Sequence, residues 1–165
     1  MVSTRPATPV EAIASLMTSP MEMALNEARR AALAGEVPVG AVVTDGVGVV
    51  LAIAGNQVEA GQNPTLHAEY LALAAARTVR GGKYLADCTL TVTLEPCAFC
   101  AAAIAAFRVG RVVFGAYDPK TGAVEHGPRL FAQPTTHHKP EVIGGVREQE
   151  STALLREFFK AKRDA

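Results

Sequence analysis

A chain of 165 residues, 49% of them apolar, is long enough for one domain with a substantial core, and no apolar run approaches the roughly 18 residues needed to cross a membrane. Its 16 basic residues balance 16 acidic ones, which excludes a global pull toward nucleic acid and leaves only local patches for that purpose. Three cysteines and no secretory leader point to a reducing cytoplasm, and that count excludes a site of four cysteines on one metal. Residues 1–19 carry an apolar patch broken by Glu11 and read as a flexible tail, so the domain is expected over residues 20–165. "SPMEMALNEARRAALAG" predicts a first helix with Ser19 and Glu22 as a capping pair, Pro20 in the first turn and Gly35 at its end. "PVGAVVTDGVGVVLAIAG" predicts two strands joined at Asp45-Gly46. A second helix is expected to begin near "NPTLHAEYLALAAARTV", with Asn63 as N-cap and Pro64 in the first turn, and to stop at Gly81-Gly82. "CTLTVTL" alternates like a strand, Pro96 to about Phe107 reads as a short alanine-rich helix, and "RVVFGA" as a buried strand. The turn-rich segment from Asp118 to Glu141 predicts an irregular surface stretch with one helical turn, and "EVIGGV" an edge strand. In the last helix, "QESTALLREFFKAKR", Leu154, Leu155, Phe158 and Phe159 share a stripe, and the two phenylalanines read as core rather than as platforms for bases. Strands alternating with helices, after an antiparallel hairpin, give an α/β layer structure with a mixed sheet.

The chemistry gathers around "TLEPCAFC", residues 93–100. Cys97 and Cys100 are three apart near a helix start, so both sulfurs can converge on one ion, and the positive end of the helix favours thiolates. A lone C-x-x-C is also the pattern of a redox pair, and a lone His at a helix start is more often structural. The combination of His67 in "HAE" with Pro96-Cys97-x-x-Cys100 thirty residues later is far more specific and points to zinc. One imidazole and two thiolates leave the fourth tetrahedral position for water, the layout of a catalytic site, where zinc brings the water's pKa to about 7. Glu69 is the residue to accept and return that water's proton. Within a regular helix, residues two apart point about 200° away from each other, which sets Glu69 against His67 unless the first turn is irregular. Cys88 reads as an inert buried cysteine, and His126, His137 and His138 as loop residues.

These motifs resemble the zinc-dependent nucleoside and nucleobase deaminases. "EVPVGAVV", "FGAYDPKTGA" and the "FF" before a basic end narrow the likeness to the bacterial tRNA adenosine deaminase branch, over about Met23 to Arg163. The resemblance implies a three-layer α/β/α fold on a five-stranded mixed sheet and a homodimer in the cytoplasm. It implies one zinc per subunit on His67, Cys97 and Cys100, with Glu69 as proton shuttle. It implies Asn56, Val37, Pro38 and Ala68 at the target base, and Asp118 and Lys120 near bound RNA. The implied reaction is hydrolytic deamination of the wobble adenosine in a tRNA anticodon stem-loop, a place where a base can be splayed out without breaking a duplex. Arg156, Lys160, Lys162 and Arg163 on the last helix, with Arg77, Arg80 and Lys83, supply local positive charge, as they would on a merely solvated face. The sequence departs from the family's pattern at Asn63, Leu66, Thr91, Phe99 and Ala102 and lacks a Gly-Ser pair after Gly122; Leu66 and Phe99 are the departures expected to reshape the pocket. Two other readings stay open: a deaminase of a free base or nucleoside such as guanine or cytosine, and a noncatalytic zinc-stabilised partner subunit.

Overall fold

The structure is a computed structural model that describes residues 6, 8–10 and 18–165. The tail expected over residues 1–19 lies for the most part outside the described residues. Helix α1 (Pro20–Leu33) leads into the hairpin β1 (Gly40–Thr44) and β2 (Val50–Gly55), followed by the short helix α2 (Val58–Gly61) and α3 (Ala68–Arg80). Then come β3 (Thr89–Leu94), α4 (Ala98–Ala106), β4 (Arg111–Ala116), a 3-10 turn (Leu130–Ala132), β5 (Glu141–Ile143) and α5 (Glu148–Arg163). The five strands form one sheet in the order β2-β1-β3-β4-β5. β1 pairs antiparallel with β2 and β3, whereas β3, β4 and β5 run parallel, so the sheet is mixed as expected.

Local chemistry explains the starts and turns. Ser19 accepts from the Glu22 amide at 3.1 Å and caps α1 ahead of Pro20, a cap worth about 1 kcal/mol. Asp45 Oδ1 accepts from the amides of Val47 and Val49 and closes the hairpin turn. The strand period of two sends alternate residues to opposite faces. Ala41, Val43, Leu90, Val92, Val112 and Phe114 join the core with Ala72, Leu73 and Ala76 of α3 and Ile104 of α4. Val42 packs instead with Met21, Ala24 and Leu25 of α1, with Val113 and Leu154 against that cluster. Two cores on opposite sheet faces are the three-layer α/β/α arrangement. The threonines of β3 are covered too: Thr91 and Thr93 are buried, and Thr93 Oγ1 accepts from the Gly40 amide.

Two expectations need correction. α3 begins at Ala68, five residues after Asn63, because the Asn63 side chain accepts from the Thr65 amide at 2.9 Å and makes a turn rather than a cap. The apolar stripe of α5 is only partly covered: Leu154, Leu155 and Phe158 are half-buried and Phe159 is exposed, so neither phenylalanine is core. The start of α5 is held to α1 through Arg147, which pairs with Glu22 and Glu150.

Candidate active site

The parallel strands and β2 all end at one edge of the sheet, the edge where side chains from loops and helix starts converge in α/β folds. Cys97 follows β3 and is the N-cap of α4, with φ −73° and ψ 175°. His67 is likewise the N-cap of α3, with φ −75° and ψ 147°. An N-cap side chain lies over the second and third residues of its helix. Cys97 therefore faces Cys100, its third helical residue, and His67 stands beside Glu69, its second. The angular objection to the His67–Glu69 pair disappears, because His67 has extended backbone and is not on the helical wheel at all.

His67 Nδ1 lies 3.5 Å from Cys97 Sγ and 3.5 Å from Cys100 Sγ, and the three ligand atoms all fall within 4.8 Å of one another. Tetrahedral zinc, with Zn–S about 2.3 Å and Zn–N about 2.0–2.1 Å, requires an N···S separation of about 3.5 Å. The donor set therefore fits zinc in distance as well as in kind, and among the described residues it supplies three ligands. A hydrogen bond from the Cys100 thiol, helped by His67, lowers Cys97 to about 4, so one sulfur is held as the thiolate a metal requires. The same contact with Cys97, together with burial, pushes the Cys100 thiol up. The bond to Cys97 raises His67.

Two further carboxylates close on this centre with opposite outcomes. Burial raises Glu69 to about 7, although its own backbone amide and Cys100 pull the other way. Burial also pushes Glu95 up, but the amides of Asp118, Glu125 and Val124 and the ring of His126 outweigh it and hold this carboxyl below the usual carboxylate range. On the far wall, buried Glu36 accepts from the amides of Glu59 and Ala60 at 2.7 and 3.1 Å and fixes α2.

These groups enclose a cavity of about 290 Å³ lined by Val37, Asn56, His67, Glu69, Cys97 and Asp118, among others, with Lys162 reaching its wall from the end of α5. That volume lies at the low end of the range for small-molecule sites, about 300–1,000 Å³. Asn56 Oδ1 accepts from the Ala68 amide at 2.8 Å, which satisfies an orphan donor of α3 and leaves the amide NH2 to donate. Of the residues expected at the base, Val37 and Asn56 are on the wall; Pro38 is buried beside it, and Ala68 is buried and meets Asn56 through its backbone. Of the pair expected near RNA, Asp118 lines the cavity but its carboxylate is occupied by the Lys120 and Thr121 amides and the Thr121 hydroxyl, while Lys120 is exposed.

Leu66 and Phe99 do not line the cavity. Leu66 folds onto α2, where a Cβ at Gly61 would collide with it. Phe99 lies outside the centre, edge-on to the His67 ring at 5.8 Å and tilted on Tyr70. Sequence reasoning missed Glu95, Glu36 and Thr121, and it left His126 as a plain loop residue. Only the position of Glu95 next to Pro96-Cys97 hinted at its place.

Residues 15–116 match the family of the cytidine and deoxycytidylate deaminase zinc-binding region. The chain belongs to this family and is a zinc-dependent deaminase, with His67, Cys97 and Cys100 positioned to bind the ion. Within the family it is 49% identical to the tRNA-specific adenosine deaminase of Agrobacterium fabrum, over 87% of this chain and 93% of that protein. A solved structure from work on A-to-I editing by tRNA A34 deaminases at the wobble position is 47% identical, with a TM-score of 0.80 over 82% of this chain and 98% of the other. A guanine deaminase from Nitrosomonas europaea is 25% identical, with a TM-score of 0.68 over 84% of this chain and 82% of that one.

Proposed function

We propose that this deaminase converts adenosine to inosine at the wobble position of a tRNA anticodon loop, acting in the cytoplasm as a homodimer. The observation that carries the reading is the 49% identity, over 87% of this chain, with a tRNA-specific adenosine deaminase, against 25% over 84% of it with a guanine deaminase of the same fold. The site supports it. The cavity takes one splayed-out base, and Lys162 on its wall, with Lys160 and Arg163 beside it in α5, suits the phosphates that accompany that base in RNA.

His67, Cys97 and Cys100 hold the zinc in this reading. When bound, zinc acts as a Lewis acid that makes water a nucleophile near neutral pH. The chain's own residues do the rest. The Asn56 NH2 group donates to the purine edge and is kept in register by the bond its oxygen accepts from Ala68. Val37 gives the base an apolar wall and keeps bulk water off it. Glu69 takes one proton from the attacking water and delivers it to the ring nitrogen, then takes the second proton from the new hydroxyl at carbon 6 and passes it to the amine, so that ammonia departs and a carbonyl remains. Its carboxylate is enclosed, so the proton stays within the site.

The reading is tested by incubating the zinc-loaded protein with an anticodon stem-loop carrying a wobble adenosine, beside adenosine, guanine and cytosine. Ammonia release together with inosine at the wobble position alone supports it. Ammonia from a free base, with the stem-loop untouched, replaces it with the free-base reading.

A further inference from the structure

Glu95 has an arrangement that the deamination chemistry does not call for. Its side chain is fully enclosed, and its two oxygens meet five donors, none of them from its own strand. Oε1 accepts from the Asp118 amide at 3.0 Å and lies 2.8 Å from His126 Nδ1. Oε2 accepts from the amides of Val124, Glu125 and His126 at 3.2, 3.0 and 3.1 Å. All five belong to the loop that follows β4. The backbone beside Glu95 joins the same loop: Pro96 O accepts from the Ala123 amide at 2.9 Å, and Cys97 bridges to Gly122. Gly122 is required by space, since a Cβ there would lie closer than 3.0 Å to the Glu95 carboxylate and to the Asp118 carbonyl.

One carboxylate thus fastens the loop to the turn that presents Cys97. The loop in turn carries Asp118 and Thr121 on the cavity wall and exposed Lys120 nearby. Asp118 spends its carboxylate inside the loop, so the loop's shape is set from within by Asp118 and its placement is set by Glu95.

We infer that Glu95 is a positioning residue that holds loop 117–126 against the Cys97 turn and thereby sets how tightly the RNA substrate is gripped, without touching it. The RNA clause rests on the proposed function; the fastening of the loop does not. Glu95→Gln keeps the shape but replaces an accepting oxygen with an NH2 group that faces donors. Losing charge-assisted bonds of this kind corresponds to about 10- to 100-fold in an equilibrium.

The test uses full-length zinc-loaded protein and an anticodon stem-loop. For Glu95→Gln the inference expects KM for the stem-loop to rise about tenfold with kcat within about twofold. It expects zinc content unchanged and hydrogen exchange at Val124, Glu125 and His126 about tenfold faster. His126→Ala, which removes one donor from a partly exposed position, shifts KM the same way by about two- to fivefold and keeps the inference testable if Glu95→Gln folds poorly. Wild-type KM and wild-type exchange in these variants overturn the inference, as does loss of zinc or of kcat at unchanged KM. The wild-type reaction is the control that separates the two claims, since absence of inosine there overturns the functional reading and its RNA clause, while exchange alone decides whether Glu95 fastens the loop.

Discussion

Glu69 and Glu95 are both buried glutamates, 4% and 2% exposed, that border the same cavity as His67 and Cys97. Their environments differ in what meets the oxygens. Glu95 is surrounded by backbone amides and a ring nitrogen, and it is held as a carboxylate despite burial. Glu69 has mainly burial acting on it, and its carboxyl is raised to about 7. Burial alone therefore decides neither charge nor role. A carboxylate saturated with donors is a structural anchor; one enclosed but left with spare capacity beside a metal centre can take a proton and give it back.

The broadest challenge to this contrast is to remove the centre both residues flank. Cys97→Ser should leave the protein with substoichiometric zinc and no detectable turnover, measured by metal analysis and ammonia release; full occupancy would remove Cys97 from the ligand set. Glu69→Gln comes next. Turnover should fall by about 10²- to 10⁴-fold while zinc stays at one per chain and thermal stability does not fall, since a buried carboxylate is being neutralised. A lowered melting temperature with substantial turnover would make Glu69 an anchor as well. Glu36→Gln extends the contrast to a second anchor and should cost about 1–3 kcal/mol of stability, read from denaturant unfolding; an unchanged midpoint would show that its bonds to Glu59 and Ala60 do little. The smallest effect is expected at Phe159→Ala, within about 0.5 kcal/mol, because the ring is 43% exposed. A large loss of stability there would return Phe159 to the core.

How far the sequence could be read follows from the range of the forces involved. The convergence of His67, Cys97 and Cys100 was legible because zinc chemistry demands particular side chains at particular spacings, and the strand before the two cysteines was marked by "TLTVTL". The start of α3 was misread because Asn63-Pro64 is an equally good cap and an equally good turn; the deciding bond, from the Thr65 amide to Asn63, is a choice between two local geometries. That correction also turned an apparent conflict between His67 and Glu69 into a natural pairing at a helix start. Glu95 stayed hidden for another reason. Its donors come from 23 to 31 residues further along, and no local pattern announces a long-range partner. The α5 stripe misled because apolar spacing says which face is oily, not how far along the helix the neighbouring sheet continues to cover it.

If one buried glutamate moves the proton while the other holds the loop, single-turnover deamination of the anticodon stem-loop by Glu69→Gln and Glu95→Gln, with RNA affinity measured in parallel, separates the two roles. Glu69→Gln should bind the stem-loop as the wild type does and form inosine about 10²- to 10⁴-fold more slowly, whereas Glu95→Gln should bind more weakly and still form inosine at near wild-type rate once saturated. The reverse pattern, inosine at near wild-type rate from Glu69→Gln or a slow saturated rate from Glu95→Gln at unchanged affinity, would overturn this division of roles.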